Sequence, residues 1–297
     1  MALKAYDLPT VASVVGDFKI RVYSSNTTLT APTVDTILEI GDKTETVDAA
    51  LGITELGKLQ LRIRDDYSVT AYGFWYAALA ANECYIRVLL TETTDKYYFV
   101  GTVQADATVW DEHSLYITPA SVQTYIRTAS ITVVDMMAVM MDTAVVTWAT
   151  EILTHEALTG DPTNVAPHKT VTLREFFASL LKASGLNASF SASDVSFVYN
   201  PSNVDINYYY NSGGGDVSYT LENLRVATEY YDTGNTPTTG DTFWWTGTYK
   251  FSDLFATARD LLPVLLRNIG CVLRMSYDSS TESASALGTH KMQIIQR

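Results

Sequence analysis

Acid–base, nucleophilic or metal chemistry needs histidines, thiols or paired carboxylates held at particular spacings. The four histidines are His113, His155, His168 and His290. His155 opens the run His-Glu-Ala-Leu-Thr, which begins like a zinc-protease helix. Such a helix needs a second imidazole one turn later, on the same face as the first, and Thr159 stands there instead. His155 and His168 flank a Gly- and Pro-containing stretch, where solvent-facing histidines are ordinary. Cys84 and Cys271 have neither metal-ligand spacing nor the numbers for a disulfide framework. Each starts an apolar, strand-like run and reads as a small buried hydrophobe. Among 33 acidic residues a carboxylate pair at glycosidase separation arises by coincidence, and none sits in a context that raises a pKa.

Phosphate and nucleophile signatures are missing as well. There is no Gly-x-x-x-x-Gly-Lys loop, no dinucleotide fingerprint and no Gly-x-Ser-x-Gly elbow. The adjacent glycines Gly213 to Gly215 neither follow a strand nor open a helix with Lys and Ser or Thr. The sequons at Asn26 and Asn187 carry weight only in a secreted chain. The expectation is therefore a protein with no catalytic residues, no metal ligands and no cofactor, and not an enzyme.

Composition narrows the class further. A hydrophobic content of 47% supplies a packed core and argues against disorder. The 19 tyrosines, with many Thr and Val, favour strands, because branched and aromatic side chains suit a pleated surface. Charged residues amount to only 18%, a surface economy that fits partial coverage by neighbouring subunits. The net charge of −13 opposes general nucleic-acid binding, which needs Lys and Arg to displace counterions. The N-terminus lacks the apolar core of a signal peptide, and no stretch approaches the roughly 18 apolar residues of a membrane span. Synthesis in the cytoplasm and no direct membrane insertion are expected.

The elements that would position any site are mostly strands. From Lys58 to Arg64 the pattern is period two, with Leu59, Leu61 and Ile63 on one face. Asp17 to Tyr23 alternates in the same way. Val34 to Ile40, Cys84 to Leu90, Tyr97 to Val103, Leu115 to Thr118 and Ser130 to Val134 are further candidates. The polar residues around Thr93 and Thr94 make a hairpin connection. Tyr72 to Ala81 reads as a short helix whose aromatics face the core, plugging the end of a barrel, with an aromatic ligand platform as the alternative. The methionines from Met136 to Met141 read as core packing.

Gly160 to Lys169, with two prolines, is the best boundary, dividing the chain into an N-terminal barrel-like domain, 1–160, and a second α+β domain, 161–297. Past it, Thr172-Leu-Arg-Glu175 forms a capping box for a helix that ends at Gly185. Val204 to Tyr210 and Phe243 to Tyr249 follow as strands. Ser252 is read as the cap of another helix, bearing Leu254, Phe255, Ala258, Leu261, Leu262, Leu265 and Leu266, which Pro263 should kink or split. Two strands, Cys271 to Tyr277 and His290 to Gln296, joined by a Ser-rich connection, close the chain. The fold class is mainly β (α+β), with β-barrel-type domains and a few packed helices.

Two stretches resemble the hub protein at the tail tip of tailed phages. The first runs from Leu59-Gln-Leu-Arg-Ile-Arg-Asp-Asp-Tyr67 through Phe74 and Trp75 to Glu83-Cys-Tyr-Ile-Arg-Val-Leu. It continues with Lys96-Tyr-Tyr-Phe-Val-Gly-Thr-Val103 and Ser130-Ile-Thr-Val-Val-Asp135, and is similar to the opening barrel of that family. The second joins Val171-Thr-Leu-Arg-Glu-Phe-Phe177, Lys250-Phe-Ser-Asp-Leu-Phe-Ala-Thr-Ala-Arg-Asp-Leu-Leu262 and Arg267-Asn-Ile-Gly-Cys-Val-Leu-Arg-Met-Ser-Tyr277. The resemblance implies a homotrimer forming a pseudo-sixfold ring in the virion. Its partners would be the distal tail or tail tube protein above and a spike or fibre protein below, with DNA passing through the lumen. An acidic wall suits that passage. Receptor-binding or lytic modules, which many hubs carry beyond this point, are expected on another protein. Two other readings stand beside it: a hexameric distal tail protein, and a carbohydrate- or receptor-binding module using aromatics such as Tyr208, Tyr209, Tyr210, Trp244 and Trp245.

Overall fold

In the computed structural model of this chain the described residues are 2–48, 53–68, 72–105, 108–113, 124–154, 170–199, 208–211, 216–219, 221, 225–227, 229–231, 248–250 and 254–297. They form two compact units, each assembled from separated segments. The first unit takes Met1–Thr46, Glu55–Ala138 and Tyr277–Thr289; the second takes Val47–Thr54, Val139–Ser276 and His290–Arg297. The fold is mainly β with few helices, as the composition implies. The expected boundary at Gly160 to Lys169 lies outside the described residues, as does the strand read at Leu115 to Thr118.

The first unit opens with β1 (Lys4–Asp7), β2 (Val11–Ser13) and β3 (Gly16–Ser24). Then come β4 (Ile37–Asp48), β5 (Ile53–Ser68), helix α1 (Phe74–Leu79), β6 (Cys84–Thr91) and β7 (Asp95–Val103). β8 (Val109–His113), β9 (Thr124–Asp135) and helix α2 (Met136–Met141) complete the run. The strands pair in the order β1-β3-β6-β7-β9-β5, with β2 on β3, β8 on β9 and β4 on β5. β9 reaches six residues further back than the strand expected at Ser130, and pairs antiparallel from Thr124 to Val134 with residues 58–68 of β5.

The inward set is the one the alternation indicates. Leu59, Leu61 and Ile63 are buried, while Lys58, Gln60 and Arg62 are exposed. Residues from both ends of the strand order, Tyr6 of β1 and Ile37 of β4, share one core with Ile20, Leu61, Ile86 and Ile131 from its middle. A flat sheet would keep its outermost strands apart, so this sheet rolls around its core. Lys43 of β4 also reaches across to donate from Nζ to the carbonyl of Tyr98 on β7, at 3.2 Å. The pairings do not close a barrel among the described residues. Helix α1 sets Trp75, Ala78 and Leu79 into the core at helical spacing, with Trp75 fully buried. Tyr76 faces the other way, so the aromatics of the Tyr72 to Ala81 segment divide between core and surface. Gly101 lets β7 approach β9, since a Cβ there would collide with the carbonyl of Val134.

In the second unit, α3 (Val145–Thr154) precedes β10 (Thr170–Thr172) and α4 (Leu173–Ala183). The capping box expected at Thr172 is present: Glu175 N donates to Thr172 Oγ1 at 3.2 Å, and Thr172 N donates to Glu175 Oε2 at 2.9 Å. α3 packs on α4 through Trp148, whose Nε1 donates to Ser179 Oγ at 2.9 Å and to Phe176 O at 3.0 Å. The buried methionines Met136, Met137, Met140 and Met141 are core, as read from the sequence.

β11 (Val195–Val198), β12 (Tyr208–Asn211), β13 (Asp216–Tyr219), β14 (Arg225–Ala227), β15 (Glu229–Tyr231) and β16 (Thr248–Lys250) follow as short strands. The antiparallel pairs are β10 with β14, β12 with β13, and β15 with β16. The strands read from Val204 and from Phe243 are described only from Tyr208 and Thr248 onward. Ser252, read as a helix cap, lies outside the described residues; Leu254 is helical, residues 255–257 are not, and helix α5 (Ala258–Asn268) begins anew after them. Thr257 takes that role through Asp260, whose Oδ2 accepts from both the backbone N and Oγ1 of Thr257 at 3.1 Å. Leu254 is 61% exposed, so the apolar face begins only with Ala258. The helix runs on through Pro263 without splitting. β17 (Cys271–Asp278) and β18 (Thr289–Gln296) are neighbours, and β18 pairs parallel with β11.

Candidate functional site

Most groups singled out for chemistry are absorbed by structure. Cys84 and Cys271 are buried free thiols, and burial pushes Cys84 up to about 12 and Cys271 up to about 11. His290 is buried in the second unit with its titration lowered to about 4 by desolvation, so it is neutral at physiological pH. Its Nδ1 then donates to Leu186 O at 3.3 Å, because a carbonyl can only accept. Asn187 is an internal clamp: Nδ2 donates to Asp194 Oδ2 and to His290 O, and Oδ1 accepts from His290 N, each at 2.9 Å. Asn26 shapes its own turn by accepting from Thr28 N and Oγ1. His113 is the last residue of β8, while His155, His168, Gly213 to Gly215, Trp244 and Trp245 lie outside the described residues. Tyr208, Tyr209 and Tyr210 are on β12. Among the described residues, no group of three or more His, Cys, Asp or Glu is placed to hold a metal ion. Nor is any helix there long and apolar enough to cross a membrane.

What the first unit does assemble is a charged aromatic cluster. Asp65 and Arg127 are direct cross-strand partners on β5 and β9, at inward positions that continue the rows of Leu61, Ile63, Ala129 and Ile131. Arg127 donates from Nε and Nη2 to Asp65 Oδ2 at 3.1 and 2.8 Å. The same carboxylate accepts the backbone N of Trp75 at 2.8 Å and of Tyr76 at 3.2 Å, fixing the first turn of α1. Side-chain exposure is 1% for Asp65 and 7% for Arg127, so neither charge is solvated and each depends on the other. Gly73 is required beside them, because a Cβ there would strike the Asp65 carboxylate.

Aromatic rings close over this pair. The Arg127 guanidinium lies 4.4 Å from the ring centre of Tyr67, 4.3 Å from that of Tyr76 and 4.7 Å from that of Trp110. Tyr67 stacks on its cross-strand partner Tyr125 at 5.2 Å, and Tyr76 stacks on Tyr72 at 5.3 Å. Tyr72 is 77% and Tyr76 38% exposed, so the cluster ends in an aromatic surface above a buried ion pair. This arrangement has no nucleophile–base pair; rigid rings backed by a fixed cation suit recognition through stacking and packing. The sequence offers the Tyr72 to Ala81 aromatics as a ligand platform, but not the Asp65–Arg127 pair or the rings of Tyr67 and Trp110, because these members are spread from Asp65 to Arg127. The available signal was a charged residue at an inward strand position, Asp65, where the alternation demands an apolar one.

A second network lies on the outer face of β3 and β6. There Glu282 meets Arg21 and Arg87, and accepts from the Tyr277 hydroxyl at 3.0 Å. Arg21 also forms a two-point pair with its cross-strand neighbour Asp7, at 2.6 and 2.9 Å, which holds its guanidinium protonated beyond the usual range. Burial raises the phenol pKa of both Tyr23 and Tyr277, so both stay neutral hydroxyls. No protein-family model and no curated protein matches this sequence.

Proposed function

We propose that this chain is a structural subunit of a phage tail tip, of the hub type, and that it acts by geometry and not by catalysis. The observation that supports it best is the succession of elements in the first unit. β5, the aromatic helix α1, the β6–β7 pair with Gly101 at its close approach, and β9 ending at Asp135 before α2 follow the order of the hub-like stretch. On this reading the rolled sheet is the barrel-type hub domain. Three copies would form the pseudo-sixfold ring that joins tail tube or distal tail protein to a central spike or fibre. The net charge of −13 would give the lumen a wall that does not retain DNA. Light scattering after size exclusion, over a range of concentrations, tests it. A trimer, or a trimer appearing with concentration, followed by a ring in electron micrographs, is the expected result. A hexamer would identify the distal tail protein instead.

The exposed Tyr72–Tyr76 stack favours a second reading, a carbohydrate- or receptor-binding module. Its result would be a strict monomer that binds glycans and loses that binding in Tyr72→Ala.

A further inference from the structure

Strand pairing alone puts the outer face of β3 and β6 in conflict. Arg21 and Arg87 are direct cross-strand partners. Their chain neighbours Ile20, Val22, Ile86 and Val88 all belong to the core, so both guanidinium groups share the opposite face. Like charges directly opposite each other are destabilising, and the Arg87 side chain, 6% exposed, has little water to relieve it. Asp7 pairs with Arg21 from β1, and Glu282 bridges both guanidinium groups. Its Oε2 lies 3.0 Å from Arg21 Nη1 and 3.0 Å from Arg87 Nη2, and its Oε1 lies 2.9 Å from Arg87 Nε.

Glu282 belongs to Tyr277–Thr289, which joins the first unit from the far end of the chain. Little apolar burial holds the tip of this segment: residues 280–281 and 283–286 are exposed, while the Glu282 side chain is 5% exposed. The base of the segment is anchored by Tyr277, a buried ring that meets Tyr97 of β7 at 6.1 Å, whereas the tip is tied by polar contacts. Ala5 N, on the outer edge of β1, donates to Ala284 O at 2.8 Å, and Gly288 N donates to the Tyr277 hydroxyl at 2.6 Å. A segment with few buried apolar contacts opens at low cost unless a specific interaction retains it.

We propose that Arg21 and Arg87 form a carboxylate-binding site, occupied in cis by Glu282, and that this single carboxylate latches Tyr277–Thr289 as a releasable strap over the sheet face and the β1 edge. The inference goes beyond the tail-tip reading and does not depend on it. Hydrogen exchange read by mass spectrometry on the full chain tests it, comparing wild type with Glu282→Ala. The variant should exchange about tenfold faster in residues 2–8 and 279–289, with residues 124–135 of β9 unchanged. Added acetate should restore protection by refilling the site, whereas chloride at the same ionic strength should not. Unchanged exchange in the two segments, acceleration spread evenly through the chain, or equal effects of acetate and chloride would each overturn the proposal. Should Glu282→Ala fail to fold, Glu282→Gln keeps the side-chain shape without the charge, and accelerated exchange confined to the same two segments is required of it.

Discussion

At the scale of single residues, Asp65 of β5 ties β9 and α1 together in the first unit. It pairs with Arg127 and holds two amides of α1, all from a 1% exposed position. Removing one partner of a buried ion pair leaves the other uncompensated, a loss of about 3 kcal/mol. Asp65→Asn is therefore expected to lower unfolding free energy by about that amount, read as a lower urea midpoint. The double change Asp65→Asn with Arg127→Met should cost less than the sum of the single changes, because the two residues are coupled. Additive losses would show that Asp65 acts on α1 alone. His290 gives a pH dependence of definite sign. Its titration is lowered from 6.5 to about 4, so between those values the unfolded chain binds the extra proton. Stability present above pH 6.5 is then lost as pH falls toward 4, by about 3 kcal/mol in total. His290→Gln should flatten this limb of a midpoint-against-pH curve, whatever offset it introduces elsewhere. An unchanged slope would assign the acid limb to carboxylates.

At the scale of elements, the sequence carries local signals more plainly than long-range ones. The period-two run around Leu61 and the capping box at Thr172 each lie within a few residues, and the structure keeps both. Thr172→Ala should cost about 1 kcal/mol, measured by thermal unfolding, with the loss recovered by Thr172→Ser. Apolar residues at helical spacing suggest one helix across Leu254 and Leu266, but residues 255–257 interrupt it and the Thr257–Asp260 cap starts α5 afresh, which spacing alone does not reveal. β1, β2, α2 and α3 carry weaker periodicity and emerge only once tertiary partners are present. The cross-strand pairs Asp65–Arg127 and Arg21–Arg87 depend on strand register, which alternation within one strand does not determine.

At the scale of the whole molecule, the order of residues along the chain differs from their grouping in space. The Ser-rich stretch after Asp278 reads as a mere connection between two strands, and its composition gives no hint that Glu282 is buried against arginines 195 and 261 positions away. A fragment ending at residue 160 keeps β1 to β9 but lacks Tyr277–Thr289. Arg21 and Arg87 then face each other without the shared carboxylate, and Ala5 N on the edge of β1 loses its acceptor. Joining residues 277–289 to that fragment through a flexible linker restores the missing carboxylate at a high effective concentration. The linked fragment is expected to unfold at a higher urea concentration than the bare one, by about 3 kcal/mol in stability. A linked fragment carrying Glu282→Gln should regain only a minor part of this. If the Gln version matches the Glu version, the strap's backbone contacts and not its charge hold the first unit together. If neither linked form exceeds the bare fragment, the sheet is complete without its C-terminal segment.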